Sequence, residues 1–174
     1  MGDISRFEEL FLPHLDAAYN LARWLGSGDE DAQDIVQEAY TRAFKGFAKF
    51  RGDNPRAWLL TIVRNTTYTW LRKRASQDKL VPFDEEVHAM PAEPVPSEAY
   101  QEARRGQVEA ALSRLPAEYR EVLLLFEFEN WSYKAIAAAL QVPIGTVMSR
   151  LSRARRRLQQ ELAHDRPEEM GDEL

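Results

Sequence analysis

Apolar residues recur at helical spacing almost throughout this chain, and no stretch shows the apolar–polar alternation of a half-buried strand. A first helix is expected over about 4–25, with Phe7, Leu10, Phe11, Leu15, Ala18 and Leu21 as its inward stripe. The cleanest period follows over 29–47, where Ala32, Ile35, Val36, Ala39, Tyr40, Ala43 and Phe44 fall on one face. Pro55 suits the first turn of a third helix carrying Trp58, Leu59, Ile62 and Val63 inward. Farther on, 98–128 reads as two helices broken at Leu115-Pro116, the second with Tyr119, Val122, Leu123 and Phe126 inward.

Between these helical stretches lies a segment of different character. Residues 76–97 hold Pro82, Pro91, Pro94 and Pro96 among acids and small residues. Four prolines inside helices would each remove a hydrogen bond and clash with the preceding turn, so the pattern predicts a flexible linker. The expected fold is therefore all-α: two small helical domains, 1–75 and 98–163, joined by a Pro-rich linker at 76–97. Each is small enough that it must be well packed to be stable. The acidic stretch 164–174 has little to bury and is expected to fray.

The sharpest local pattern lies near the C-terminus. Ser132 is placed to cap a helix reaching about Leu140, with Tyr133, Ile136, Ala137 and Leu140 on one face. Gln141-Val142-Pro143 breaks it, because proline disfavours helix at the preceding residue. A second helix over 144–162 then carries Ile144, Val147, Leu151, Ala154 and Leu158 as its buried stripe. At 100° per residue, Ser149, Ser152, Arg153 and Arg156 point the other way, flanked by Thr146, Arg150 and Arg157. Two helices with a three-residue turn, the second presenting hydroxyls and guanidiniums, match a helix-turn-helix that lays its second helix in the major groove. Arginine bonds guanine O6 and N7 as a fork, and serine or threonine serves base edges or phosphates. A helical hairpin with a basic solvated face is the plainer reading of the same residues.

Charge sharpens this picture. The chain of 174 residues carries −5 overall, which looks wrong for a nucleic-acid binder. The total conceals segregation: −7 over 1–39, +8 over 40–74, −7 over 75–129, +6 over 130–160 and −5 over 161–174. Phosphate attraction acts within a Debye length of roughly 8–10 Å, so local potential matters more than the sum. Two basic blocks separated by an acidic one suggest two contacts with a polyanion. The acidic segments predict weak binding of duplex DNA by the isolated chain. No apolar run approaches a membrane span, so no membrane insertion is expected. The N-terminus lacks a signal-peptide pattern, and cysteine is absent, which excludes disulfides and thiol catalysis. A cytoplasmic protein is expected.

Within the +8 block, Arg64-Asn65-Thr66-Thr67-Tyr68-Thr69-Trp70-Leu71-Arg72-Lys73-Arg74 interleaves cations with aromatics and amides. Unpaired DNA calls for that mixture, since bases stack on rings while cations follow phosphates. On the preceding helix, Asp29, Glu30 and Asp31 suit the positive end of the helix dipole. Asp34 and Glu38 lie beyond that first turn and are better placed to dock a basic partner.

Taken together, the two halves resemble the extracytoplasmic-function group of sigma-70 factors. The resemblance rests on Asp31-Ala32-Gln33-Asp34-Ile35-Val36-Gln37-Glu38, Phe50-Arg51-Gly52-Asp53, Trp58-Leu59…Ile62-Val63-Arg64-Asn65, Leu115-Pro116-Ala117-Glu118-Tyr119-Arg120 and Val142-Pro143-Ile144-Gly145-Thr146-Val147-Met148-Ser149-Arg150-Leu151, in family order across about 7–162. It implies a transcription initiation factor, not an enzyme, that needs no cofactor and no metal. Its partners would be RNA polymerase core (the β′ clamp helices and the β flap), promoter DNA and an anti-sigma factor. Asp31, Asp34, Gln37, Glu38 and Arg42 would bind core. Phe50, Arg51, Asn54 and the facing Asn65 would capture a −10 base flipped from the melted strand, with Arg64, Tyr68, Trp70, Arg72, Lys73 and Arg74 along the DNA. Thr146, Ser149, Arg150, Ser152, Arg153, Arg156 and Arg157 would read a −35 duplex. Ala135 and Ala138 stand where the family often carries Glu, and Gln141 where Gly is frequent, so the turn is strained if that residue needs positive φ.

Two other readings stay open on sequence grounds. A sigma-like mimic that binds only an anti-sigma factor would not need the two basic blocks. A helix-turn-helix repressor with an N-terminal effector domain explains 130–160 but leaves the acidic helix and residues 50–65 unused. An enzyme is disfavoured, because His14, His88 and His164 are scattered and no glycine-rich phosphate loop appears.

Overall fold

Pro13 stops the first helix well short of the expected Leu25. In the computed structural model, which describes residues 2–78 and 96–165, α1 (Asp3–Phe11) tightens into a 3₁₀ turn at Leu12–His14 before α2 (Leu15–Ala22) begins. Proline lacks the N–H that a continuous helix would use, and the break rotates the register. Leu15, expected inside, is consequently 44% exposed. A π turn (Arg23–Ser27) then leads to α3 (Gly28–Gly46) through Gly26 at φ +107° and Gly28 at φ +75°. Both angles lie in the left-handed region that glycine reaches without a Cβ penalty. The buried Ser27 hydroxyl donates to the Ala22 carbonyl at 2.8 Å, which closes this corner.

Five of the predicted α3 core positions are buried, but Phe44 is 43% exposed and Tyr40 is half-buried. A 3₁₀ turn (Phe47–Lys49) and a short loop then reach α4 (Pro55–Asp78). Phe11 is fully buried at the centre of this unit, with ring centroids 4.8 Å from Phe7, 5.9 Å from Phe47, 5.4 Å from Phe50 and 5.3 Å from Trp58. Leu59, Leu60 and Val63 are buried on α4, and so are Thr66 and Thr67 from the stretch read as polar. The two threonine hydroxyls donate to the carbonyls of Ile62 and Val63 at 2.7 and 2.8 Å, so they enter the core already satisfied.

The chain divides into two compact units, Met1–Val87 and His88–Leu174. The second contains α5 (Pro96–Arg114), α6 (Ala117–Leu123) with a π turn at Leu124–Phe128, α7 (Tyr133–Leu140) and α8 (Ile144–His164). The break at Leu115-Pro116 is bridged by Arg120, whose guanidinium donates to the Leu112, Ser113 and Leu115 carbonyls at 2.9 Å each. The Leu112 carbonyl also accepts the Leu115 N–H at 3.1 Å, so Arg120 adds to that bond and covers two further carbonyls at the end of α5. The core here is mostly aliphatic: Leu112, Leu115, Val122, Leu125, Ile136, Val147 and Leu151 are all at most 2% exposed. Arg114 pairs with Glu161 at 2.8 Å and with Asp165, tying α5 to the end of α8.

Ser132 caps α7 as expected, its hydroxyl accepting from the Ala135 N–H at 3.1 Å. Gln141 adopts φ 55°, ψ 46°, so the turn places a non-glycine residue in the left-handed region. The two helices then diverge by 103°, within the range of a helix-turn-helix. Ile144, expected in the buried stripe, is 47% exposed. All described elements are helical, in agreement with the all-α expectation. Residues 76–78 and 96–97, assigned to the linker, belong to α4 and α5, and His164, assigned to the tail, is the last residue of α8. The rest of the expected linker and of the acidic tail, 79–95 and 166–174, lies outside the described residues.

Candidate nucleic-acid and partner interfaces

α8 owes its orientation to Val147, Leu151 and Ala154, which are buried against the rest of the unit. The opposite face therefore turns out to solvent, and Ser149, Ser152, Arg153 and Arg156 lie on it, all exposed. Ser149 donates to the Thr146 carbonyl at 3.2 Å, leaving its oxygen lone pairs outward. Thr146 itself is half-buried in the first turn. The remaining arginines are drawn aside. Arg150 is half-buried and lies 3.6 Å from Glu118, and Arg157 lies 3.6 Å from Glu161 one turn on. Arg155 bonds Glu127 at 2.6 Å and sits over the Phe126 ring at 5.3 Å. Arg153 and Arg156 are thus the cations α8 holds ready for a polyanion, while Arg150 and Arg157 would first have to leave their carboxylates.

In the N-terminal unit the candidate residues form contacts that sequence spacing did not reveal. Asn54 accepts the Ala57 N–H on Oδ1 at 3.0 Å, so its carbonyl oxygen is the cap of α4 rather than a group held for a base. The Phe50 ring stacks on Phe47 and lies 5.2 Å from Trp58, half-buried in the aromatic core instead of projecting as a stacking platform. Arg51 is exposed beside it. By pinning Phe50 to Trp58, the core folds the 50–54 loop back along α4. Asn65 lies on the Trp58 face of α4, two turns or about 10 Å farther along.

Beyond that point α4 becomes cationic and aromatic, with Arg64, Tyr68 and Arg72 one turn apart along one ridge and Trp70, Lys73 and Arg74 on its other faces. Arg64 donates to Asn65 Oδ1 at 2.9 Å and lies 5.0 Å from the Tyr68 ring centroid. Arg72 donates back to the Tyr68 carbonyl at 3.3 Å. Trp70 is half-buried, and Arg72, Lys73 and Arg74 are exposed. Arg74 pairs with Asp31, so a residue expected to bind core and one expected to follow DNA are bonded to each other. Asp29 pairs with Arg23 at 2.7 Å. Both acids stand in the first turn of α3, where the dipole favours them, and each also holds an arginine.

Asp34 and Gln37 are exposed on α3, and Glu38 pairs with Arg42 one turn away. Beside them lies an open cavity of about 510 Å³ between α2 and α3, lined by Leu12, Leu15, Tyr19, Val36 and Tyr40 with Asp16, Gln33 and Gln37 at its margin. Sequence reasoning missed it. Leu15 had been assigned to the core, and the Pro13 break that turns Leu12 and Leu15 outward was the available signal. The face expected to dock a partner therefore adjoins an apolar groove edged by Gln33, Gln37 and Asp16.

Comparison with known proteins matches this geometry in both units. The family Sigma-70 region 2 matches residues 10–77, and Sigma-70, region 4 matches residues 105–158. The RNA polymerase sigma-H factor of Pseudomonas aeruginosa is 35% identical over 166 residues, covering 88% of this chain and 84% of its own length. The ECF RNA polymerase sigma factor SigE of Mycolicibacterium smegmatis is 35% identical over 159 residues, and there the match takes in 90% of this chain but 62% of the relative. Among solved structures, the sigma factor RpoE of Bartonella quintana, in complex with the anti-sigma factor NepR, superimposes with a TM-score of 0.75. It is 36% identical, and the match covers 92% of this chain and 99% of that one.

Proposed function

Because this chain belongs to the extracytoplasmic-function group of the sigma-70 family, we propose that it divides promoter recognition between its two units on RNA polymerase core. The N-terminal unit binds core through Asp34, Gln37, Glu38 and Arg42 and through the adjoining groove of Leu12, Leu15 and Tyr19. Basic and polar groups of the partner meet the acids while an apolar side chain fills the groove. Asp31 takes part through Arg74, whose release frees both. The ridge of Arg64, Tyr68 and Arg72, with Asn65 beside it and Trp70, Lys73 and Arg74 around the end of α4, follows the melted −10 strand, and Arg51 and the 50–54 loop close around its captured base. Phe50 and Asn54 hold that loop in position. Along α8, Ser149, Ser152, Arg153 and Arg156 read the −35 duplex from the major groove, with Thr146, Arg150 and Arg157 flanking them.

One observation carries this reading: the same chain holds an apolar groove edged by Asp16, Gln33 and Gln37, next to the acids of α3, and an outward helix face whose exposed cations, Arg153 and Arg156, have no ion pair among the described residues. A repressor has no use for the first and a mimic none for the second. By similarity to the RpoE–NepR complex, an anti-sigma factor holds the protein inactive by covering these surfaces. The protein acts in the cytoplasm, where core polymerase is found; no single described helix is long and apolar enough to cross a membrane.

Run-off transcription tests this directly. Purified core polymerase with this chain, on a promoter library, should yield transcripts whose templates share two spaced motifs. Core binding without any transcript would support the mimic. Failure to bind core would remove the docking argument and leave the repressor.

A further inference from the structure

Large apolar side chains left in water on a recognition helix are not needed by the fold. Met148 is 53% exposed in the second turn of α8. It adjoins Ser149 in sequence and lies one turn before Ser152, both exposed and small. On the other side it adjoins Gly145, where an added Cβ would meet nothing within 4 Å. The first two turns of such a helix make the deepest approach to the base edges. Here they offer a long thioether flanked by small residues, with Arg153 and Arg156 one to two turns behind.

A helix face that approaches the floor of the major groove meets donors, acceptors and one apolar group, the C5-methyl of thymine. Methionine has three rotatable bonds and a polarizable sulfur, so it reaches a recessed methyl without demanding one geometry. Ser149 and Ser152 leave the space for it to do so. Ile144, 47% exposed one turn earlier, is shorter and β-branched and stands at the very start of the helix. The geometry points to Met148 as a specificity-determining residue that selects thymine at one position of the −35 element through contact with its methyl group. This inference rests on the proposed −35 reading and adds a residue that no charge or hydrogen-bond argument finds.

The test uses holoenzyme assembled from core polymerase and the full chain, on a promoter recovered from the library. Each thymine of the −35 element, on either strand, is replaced singly by deoxyuridine, which keeps the pairing edge and removes only the methyl. At one position the wild-type holoenzyme should lose occupancy by about fourfold, the worth of one buried methyl-sized group. Met148→Ala should show the same loss on the thymine template and be indifferent to the replacement, whereas Met148→Leu should keep the discrimination. Both variants should melt with wild-type protein, since the side chain is exposed. Wild type indifferent at every thymine, Met148→Ala as sensitive as wild type, or an element without thymine would each overturn the inference. A general loss of core assembly in Met148→Ala would overturn it too, making Met148 a protein contact. Arg153→Ala and Arg156→Ala run in parallel separate the two levels. If they leave −35 sequence dependence intact, the −35 reading itself has failed. If they abolish it while the methyl has no effect, only the Met148 assignment falls.

Discussion

Along α4 three arginines, Arg64, Arg72 and Arg74, are bonded within the protein, whereas along α8 the central arginines Arg153 and Arg156 have no ion pair among the described residues. Asn54 caps a helix, Arg64 is held by Asn65 and Tyr68, and Arg74 by Asp31. On α8, by contrast, Ser149, Ser152, Arg153 and Arg156 all face water. The difference fits the two forms of nucleic acid. A duplex presents its edges in a regular groove, so a rigid helix with extended side chains suffices. A melted strand must be caught base by base, which favours side chains already fixed by neighbours. Exchanging one exposed internal ion pair for a phosphate contact costs little, because such pairs are worth about 1 kcal/mol or less.

The largest break in the comparison comes from the cores beneath these faces. The N-terminal core is aromatic and includes Phe50 of the candidate loop; the C-terminal core is aliphatic and includes no residue of the reading face. Phe11→Ala should therefore cost the N-terminal unit about 3–5 kcal/mol, the usual range for emptying a buried aromatic site. It should also release the loop, because Phe50 packs on Phe11. Hydrogen exchange should show lost protection in α1–α4 with α5–α8 unchanged, and −35 duplex binding should survive. Equal loss in both units would show that their stabilities are not separate.

Next in size is the reading face itself. Arg153→Ala or Arg156→Ala should reduce −35-dependent transcription by about fivefold to 150-fold, corresponding to roughly 1–3 kcal/mol for a forked base contact. The melting temperature should hold, since both side chains are exposed. Arg150→Ala should matter less for DNA and more for stability, because Arg150 faces Glu118. If Arg150→Ala instead matched Arg153→Ala, the ion pair would be no barrier to DNA contact.

These side chains also show where sequence reading reached its limit. Helical periodicity located α3, α7 and α8, because their apolar stripes are long and unbroken, and Ser132 was recognisable as a cap by residue type alone. The outward direction of Ser149, Ser152, Arg153 and Arg156 followed from the same period. Leu15 and Ile144 were assigned inward because periodicity counts apolar residues without knowing that Pro13 resets the register or that a first-turn residue can overhang the core. Thr66 and Thr67 were read as polar because nothing in a sequence announces that a hydroxyl will bond its own helix. Partners distant in sequence, such as Arg74 with Asp31 or Arg155 with Glu127, have no local signature. They decide which charges remain available, so periodicity shows Arg150 and Arg157 flanking the outward face without showing that each is held by a carboxylate.

A smaller effect separates capping from base capture at Asn54. Asn54→Ala should cost about 1 kcal/mol of stability through the lost α4 cap. Asn54→Asp keeps the accepting oxygen, so it should restore that stability. If the residue also touches the −10 base through its amide N–H groups, Asn54→Asp should still initiate poorly at promoters whose −10 element is otherwise intact. Equal activity of Asn54→Asp and wild type would leave the cap as its whole role.

Tyr40 gives the finest distinction, because it joins the aromatic core to the groove between α2 and α3. Its hydroxyl donates to the Phe11 carbonyl at 2.7 Å, and burial pushes the phenol from its ordinary value of 10.0 up to about 12. The neutral form is the one favoured in the folded state. Its contribution is therefore complete below pH 10, where the unfolded phenol is still protonated, and is lost as pH rises through about 12. Tyr40→Phe removes the hydrogen bond and should cost roughly 0.5–1.5 kcal/mol near neutral pH. It should also flatten the part of the stability profile that falls between pH 10 and 12. Urea unfolding of both proteins across that range reads the two effects separately. An unchanged alkaline slope would mean that the hydroxyl is as well hydrated in the groove as in the unfolded chain, and the groove would then have a polar floor rather than the apolar one its leucines suggest.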